Sequence, residues 1–64
     1  MIKKARFNKK LTQKELSKLL GVNQSYISKI ENRKTKSLSI NKVLALSSIL
    51  EVDPVEVFKF IARI

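Results

Sequence analysis

The chain of 64 residues has no cysteine, no histidine and no tryptophan. Thiolate and imidazole metal sites are therefore excluded, as is catalysis by Cys or His. A disulfide frame is excluded too, so the chain must fold by packing alone or with help from self-association. Glycine and proline occur once each. No β-branched run alternates with polar residues, so strand signals are missing and an all-α reading follows. No apolar run approaches the roughly 20 residues that a membrane span needs. The lysine-rich start is followed by polar residues, not by the apolar run of a signal peptide. These absences predict a soluble, cytoplasmic chain forming one domain over residues 1–64, with no membrane association and no attached effector domain. Acid is scarce as well, and four of the five carboxylates have structural explanations. Glu15, Asp53 and Glu56 fall at helix starts, and Glu31 falls beside an apolar face where it needs a cationic partner. Glu51 alone makes no acid/base pair, so the chain reads as no enzyme, with no cofactor, no metal and no small-molecule substrate.

What remains is charge and helix. The formal net charge is +9, unevenly placed: residues 1–42 hold 12 Lys/Arg and 2 acids, whereas residues 43–64 hold 2 basic and 3 acidic residues. A one-sided distribution suggests a face for a polyanion at one end and a neutral contact face at the other.

Along the chain, residues 2–9 predict a short helix burying Ile2 and Ala5, with Arg6 beside them. Thr12 and Glu15 form the capping-box pattern TQKE, which starts a second helix running to about Leu20 and burying Leu16, Ser17 and Leu20. Gly21 supplies the left-handed conformation of a tight turn, and Val22 follows as an apolar plug. Asn23 caps a third helix from Gln24 to about Asn32. Ile27, Ile30 and Glu31 share its inner side. Ser25, Ser28, Lys29 and Asn32 share the other side, a polar stripe without acid, suited to base edges and phosphates. The loop RKTKSL, residues 33–38, carries three cations in four positions. Ser39 caps a fourth helix, Ile40 to about Leu50, with Ile40, Val43, Ser47 and Leu50 inward, widened by Leu44 and Leu46, and with Ala45 and Ile49 on the other side. Asp53, Pro54 and Glu56 mark the start of a fifth. Pro54, Val57, Phe58 and Ile61 form its predicted inner face. Val55, Phe60, Ala62 and Ile64 widen its apolar arc to about 220°, against the roughly 100° a surface helix needs.

LTQKEL (11–16), GVNQSYISKIEN (21–32) and the LSINKV, SSILEV and VEVF stretches within 38–58, together with Arg6, resemble the lambda-repressor-like family of helix-turn-helix proteins, the Cro/repressor or xenobiotic-response-element type. The resemblance spans about residues 2–61. It implies a compact five-helix DNA-binding domain with the helix-turn-helix at the second and third helices, the third entering the major groove. It places Gln24, Ser25, Ser28 and Lys29 as readers of base edges. Gln13, Asn23, Tyr26, Asn32, Arg33, Lys34 and Lys36 become phosphate contacts, and Arg6 with Glu31 a structural ion pair. Three positions depart from the family's pattern: Lys10 and Arg33 stand where glycine is common, and Leu38 where proline is common.

The reading is a sequence-specific regulator of transcription of bacterial or phage origin, a repressor bound to a near-palindromic operator and so associated with the nucleoid in the cytoplasm. A homodimer is expected, because one short helix reads too few base pairs for selectivity. Leu44, Ile49, Phe60 and Ile64 are its expected association face. The alternative is an antitoxin or interaction module whose apolar C-terminal face holds a toxin or anti-repressor while the chain binds its own operator. A membrane-active basic peptide would need charge and apolar excess on the same helices, and here they lie at opposite ends.

Overall fold

The computed structural model describes residues 1–35 and 38–64. Five helices follow one another: α1 (Ile2–Asn8), α2 (Gln13–Leu20), α3 (Gln24–Glu31), α4 (Ile40–Leu50) and α5 (Pro54–Ala62). No strand occurs among the described residues. Helix α2 packs on α3, α4 on α5 and α2 on α4, while α1 braces both α3 and α4. The centre is apolar: Ile2, Leu16, Ile27, Ile30, Leu46 and Val57 are fully buried. Every helix thus contributes to a single core, which holds the two central helices at a fixed angle.

The helix starts follow from side-chain chemistry. Thr12 Oγ1 accepts from the Glu15 amide at 3.0 Å and the Glu15 carboxylate accepts from the Thr12 amide at 2.9 Å, so two amides of the first turn of α2 are satisfied reciprocally. Asn23 Oδ1 accepts from the Tyr26 amide, Ser39 Oγ from the Lys42 amide and Asp53 Oδ1 from the Val55 amide, capping α3, α4 and α5. Pro54 occupies the first turn of α5, where an amide hydrogen would be unused in any case.

The helix stops are more uniform than the sequence implies. Helix α2 ends at Gly21 (φ 76°), with the Gly21 amide donating to the Lys18 carbonyl and the Val22 amide reaching back to the Ser17 carbonyl at 2.9 Å. This double bond around a left-handed residue satisfies carbonyls that the last turn leaves open. The same pair recurs at the ends of α1, α3 and α4, around Lys10 (φ 58°), Arg33 (φ 55°) and Glu51 (φ 55°), and Arg63 (φ 63°) takes the left-handed place after α5. Only one of the five left-handed residues is glycine. Lys10 and Arg33, the two positions expected to depart from a glycine pattern, keep the backbone of that pattern and carry its strain instead. Lys10 is exposed. Lys10→Gly should therefore raise stability by about 0.5–1 kcal/mol, the balance between relief of a left-handed Cβ and the greater freedom of glycine in the unfolded chain. Urea denaturation of the two proteins would measure it, and an unchanged midpoint would mean that the strain is already relaxed.

Two expected faces are turned. In α4 the buried residues are Val43, Leu46, Ser47 and Leu50, while Ile40 is 76% exposed and Leu44 49%. Ile49, expected outside, packs partly buried against the core. The buried arc runs from Leu46 through Leu50 and Val43 to Ser47, and Ile40, as first residue, extends beyond the core. In α5 the two phenylalanines exchange roles. Phe60 packs partly buried against the core and Phe58 is 55% exposed, with Pro54 exposed as well. Phe58 and Phe60 flank the buried Val57–Ile61 line on opposite sides, and the side on which α4 lies decides between them. Of the expected association face, Leu44 and Ile64 are thus exposed, whereas Ile49 and Phe60 are committed to the core.

Candidate nucleic-acid interface

Helices α2 and α3 form the unit that presents polar side chains outward. Gly21 lets the chain reverse tightly, and Val22 packs partly buried against the core, fixing the start of α3. Ile27 and Ile30 anchor α3 from beneath, leaving Gln24, Ser25, Lys29 and Asn32 exposed and Ser28 half-buried. These side chains are not equally free. Ser25 Oγ donates to Asn23 Oδ1 at 2.7 Å, and Asn32 Nδ2 donates to the Ser28 carbonyl at 2.9 Å and to Ser28 Oγ at 3.3 Å. Gln24 and Lys29 are the longest side chains presented there.

Behind this surface lies an ion pair. Arg6 Nε donates to Glu31 Oε2 at 2.6 Å and Nη2 to Glu31 Oε1 at 3.4 Å, with only 6% and 3% of the two side chains exposed. Arg6 Nη1 also donates to the Leu11 carbonyl at 2.9 Å, so the guanidinium joins the end of α1, the start of α2 and the end of α3. A third partner was not legible in the sequence: Gln13 Nε2 donates to Glu31 Oε1 at 2.9 Å. Gln24 Nε2 in turn donates to Gln13 Oε1 at 3.4 Å. The α2–α3 angle brings Gln13 and Gln24 together, and no sequence spacing announces that.

Burial pushes the Glu31 carboxyl up, but hydrogen bonds from Arg6 and Gln13 and the charges of Arg6 and Lys3 outweigh it and leave the group below the ordinary 4.5. The Glu15 carboxyl is lowered by its backbone and side-chain hydrogen bonds with Thr12. A carboxylate whose folded value is depressed contributes stability that is present above the ordinary value and lost as pH falls through the folded one. Thermal melts should therefore show a midpoint falling progressively below about pH 4.5. A midpoint flat from neutrality to below that pH would contradict the depressed values.

Cations surround the unit. Lys34 and Arg33 are exposed just after α3, and Arg33 lays its guanidinium 4.4 Å from the Phe60 ring centroid. That contact ties the loop after α3 to α5 and offsets part of the left-handed strain at Arg33. Lys36, expected at a phosphate, lies outside the described residues. Two further lysines serve the scaffold. Lys42 Nζ donates to the Leu20 carbonyl at 3.1 Å, at the negative end of α2, and Lys9 pairs with Glu51, joining the stops of α1 and α4. No cluster of acidic side chains suited to a metal occurs among the described residues, and no helix among them is long and apolar enough to cross a membrane.

Residues 2–57 match the helix-turn-helix family of the lambda repressor/Cro type. The chain belongs to that family. Its members are DNA-binding regulators, and this helix-turn-helix protein accordingly has DNA as its partner. The family is in general non-enzymatic. No curated protein and no solved structure gives a significant match. The matched stretch takes in α1 to α4 and the first turn of α5, so the ion pair, the glycine turn and the polar stripe all lie within it.

Proposed function

We propose that the protein is a repressor of transcription that binds a near-palindromic operator as a homodimer. In this reading α3 lies in the major groove, with Gln24 and Lys29 as principal readers of base edges and Ser25 and Ser28 beside them. The observation that carries it is the polar, acid-free surface of α3, rigidly seated by Ile27 and Ile30 and flanked by exposed cations. Gln24 suits adenine, whose major-groove edge offers one acceptor and one donor, and Lys29 suits the acceptor pair of guanine. Asn23, Tyr26, Asn32, Arg33, Lys34 and Lys36 serve the phosphates. Gln13 does so at the start of α2, where the helix dipole favours an anion. The 64 residues act as one DNA-binding domain, at work on the nucleoid.

Dimerisation would place two copies of α3 about 34 Å apart, one turn of the duplex. Leu44 and Ile64, with the similarly exposed Ile40, Val55 and Phe58, provide apolar surface on α4, α5 and the C-terminus for that contact. The same surface also suits the second reading, an antitoxin whose C-terminal face holds a different protein. Co-purification with a stoichiometric toxin would favour that reading over a homodimer.

Selection from randomised duplexes, followed by gel shift, tests the main proposal. Gln24→Ala should cost about 1–3 kcal/mol and relax one base position, whereas Lys34→Ala should weaken all sites about equally. Binding that no sequence improves would sink the proposal, and an unchanged base preference in Gln24→Ala would remove Gln24 as reader.

A further inference from the structure

The side-chain amide of Gln13 is not free to choose its direction. Glu31 Oε1 accepts from it at 2.9 Å, and an ionised carboxylate has no hydrogen to offer in return. Arg6, with its Nε 2.6 Å from Glu31 Oε2, holds that carboxylate in its charged form. Gln13 must therefore present Nε2 to Glu31, which leaves Oε1, on the other arm of the planar amide, facing away from the carboxylate. Gln24 sits on that side and answers with Nε2, at 3.4 Å the longest link of the three. Two amides that could each face either way are thus given one direction by a carboxylate that lies behind them.

We propose that Glu31, only 3% exposed in its side chain, sets the donor–acceptor order that Gln24 shows to a base edge, and so determines specificity as a positioning residue. The inference rests on the reading of α3 as the recognition helix. A free glutamine amide can turn both N–H hydrogens towards guanine, whose N7 and O6 are both acceptors. Gln24 has given one hydrogen to Gln13. It keeps one N–H and the whole of Oε1, which is the order complementary to adenine N7 and N6. The buried ion pair is thereby read out at the surface as selection of adenine against guanine, although neither charge touches DNA. Charged groups polarise the amides that follow them, which strengthens the chain beyond its separate links.

The test uses the full chain and duplexes that differ only at the base pair whose preference Gln24→Ala flattens. Wild type should favour adenine over guanine there by about ten-fold or more. Gln13→Met removes the link but leaves Arg6 and Glu31 paired, so the fold is kept. It should weaken every duplex through loss of its phosphate contact and, in addition, abolish most of the adenine-to-guanine ratio at that single position. Arg6→Met combined with Glu31→Leu, which removes the carboxylate without leaving a buried charge unpaired, should abolish the ratio likewise. Adding Gln13→Met to Gln24→Ala should change the ratio no further, as residues acting through one contact are not additive. A wild-type ratio in both Gln13→Met and the Arg6→Met, Glu31→Leu double variant, with Gln24→Ala still flattening it, would overturn the proposal and leave Gln24 reading alone. If Gln24→Ala flattened no position, Gln24 would not be a reader and this inference would fall, while the reading of α3 as recognition helix would stand or fall with the selection from randomised duplexes.

Discussion

Arg6→Ala is expected to destabilise the protein by about 3–5 kcal/mol, the usual consequence of removing one partner from a buried ion pair. The residue is buried and its guanidinium makes three hydrogen bonds, two to Glu31 and one to the Leu11 carbonyl. Without it, Glu31 keeps its burial and its bond from Gln13 but loses its cation, and the Leu11 carbonyl loses its donor. A chain of this length has about 3–10 kcal/mol in total, so the loss takes a third or more of it and unfolds the variant outright at the lower end of that range. The pair itself is a different matter. Replacing both members, as in Arg6→Met with Glu31→Leu, should leave stability within about 2 kcal/mol of wild type, because apolar side chains of similar volume need no compensation. Urea melts followed by circular dichroism at neutral pH would measure both. An Arg6→Ala midpoint equal to wild type would show that the pair contributes nothing to the fold.

Affinity for DNA should fall steeply with salt. With roughly five phosphate contacts in each protomer, a dimer should give a log–log slope of about −9, and a monomer about half that. The exposed cations at Lys29, Arg33 and Lys34 and the excess of 12 basic over 2 acidic residues in the first 42 positions are the source of the expectation. Titration by fluorescence anisotropy at several salt concentrations gives the slope. A value near zero would mean that neutralising phosphates is no part of binding, and a value near half would argue against the homodimer.

Much of the fold was legible because helix starts are local. Thr12 with Glu15, Asn23, Ser39 and Asp53 with Pro54 each announce a first turn by residues within four positions of one another, and all of these helices begin where their caps place them. Helix stops were less legible for a physical reason. The left-handed residue is needed after every helix, yet Lys10, Arg33, Glu51 and Arg63 fill that place at four of the five ends, and nothing in their chemistry advertises it. The rotation of α4 and α5 was harder still. Leu44 against Ile49, and Phe58 against Phe60, are alternatives that an apolar pattern leaves equal until the neighbouring helix is in position. The polar network divides the same way. Arg6 and Glu31 are charges beside apolar faces and so demand each other. Gln13 is an ordinary exposed-type residue near a helix start, and only the crossing of α2 over α3 brings it between Glu31 and Gln24.

Tyr26 has a practical consequence. It is the one tyrosine in a chain without tryptophan, it lies in the first turn of α3 with its amide held by Asn23, and its ring is half-buried against the core. Near-ultraviolet emission from this protein therefore comes mainly from a single ring on a single helix. Quenching or recovery of that emission reports on the surroundings of α3, and hence on groove occupancy or loosening of the core, without a label and without a substitution.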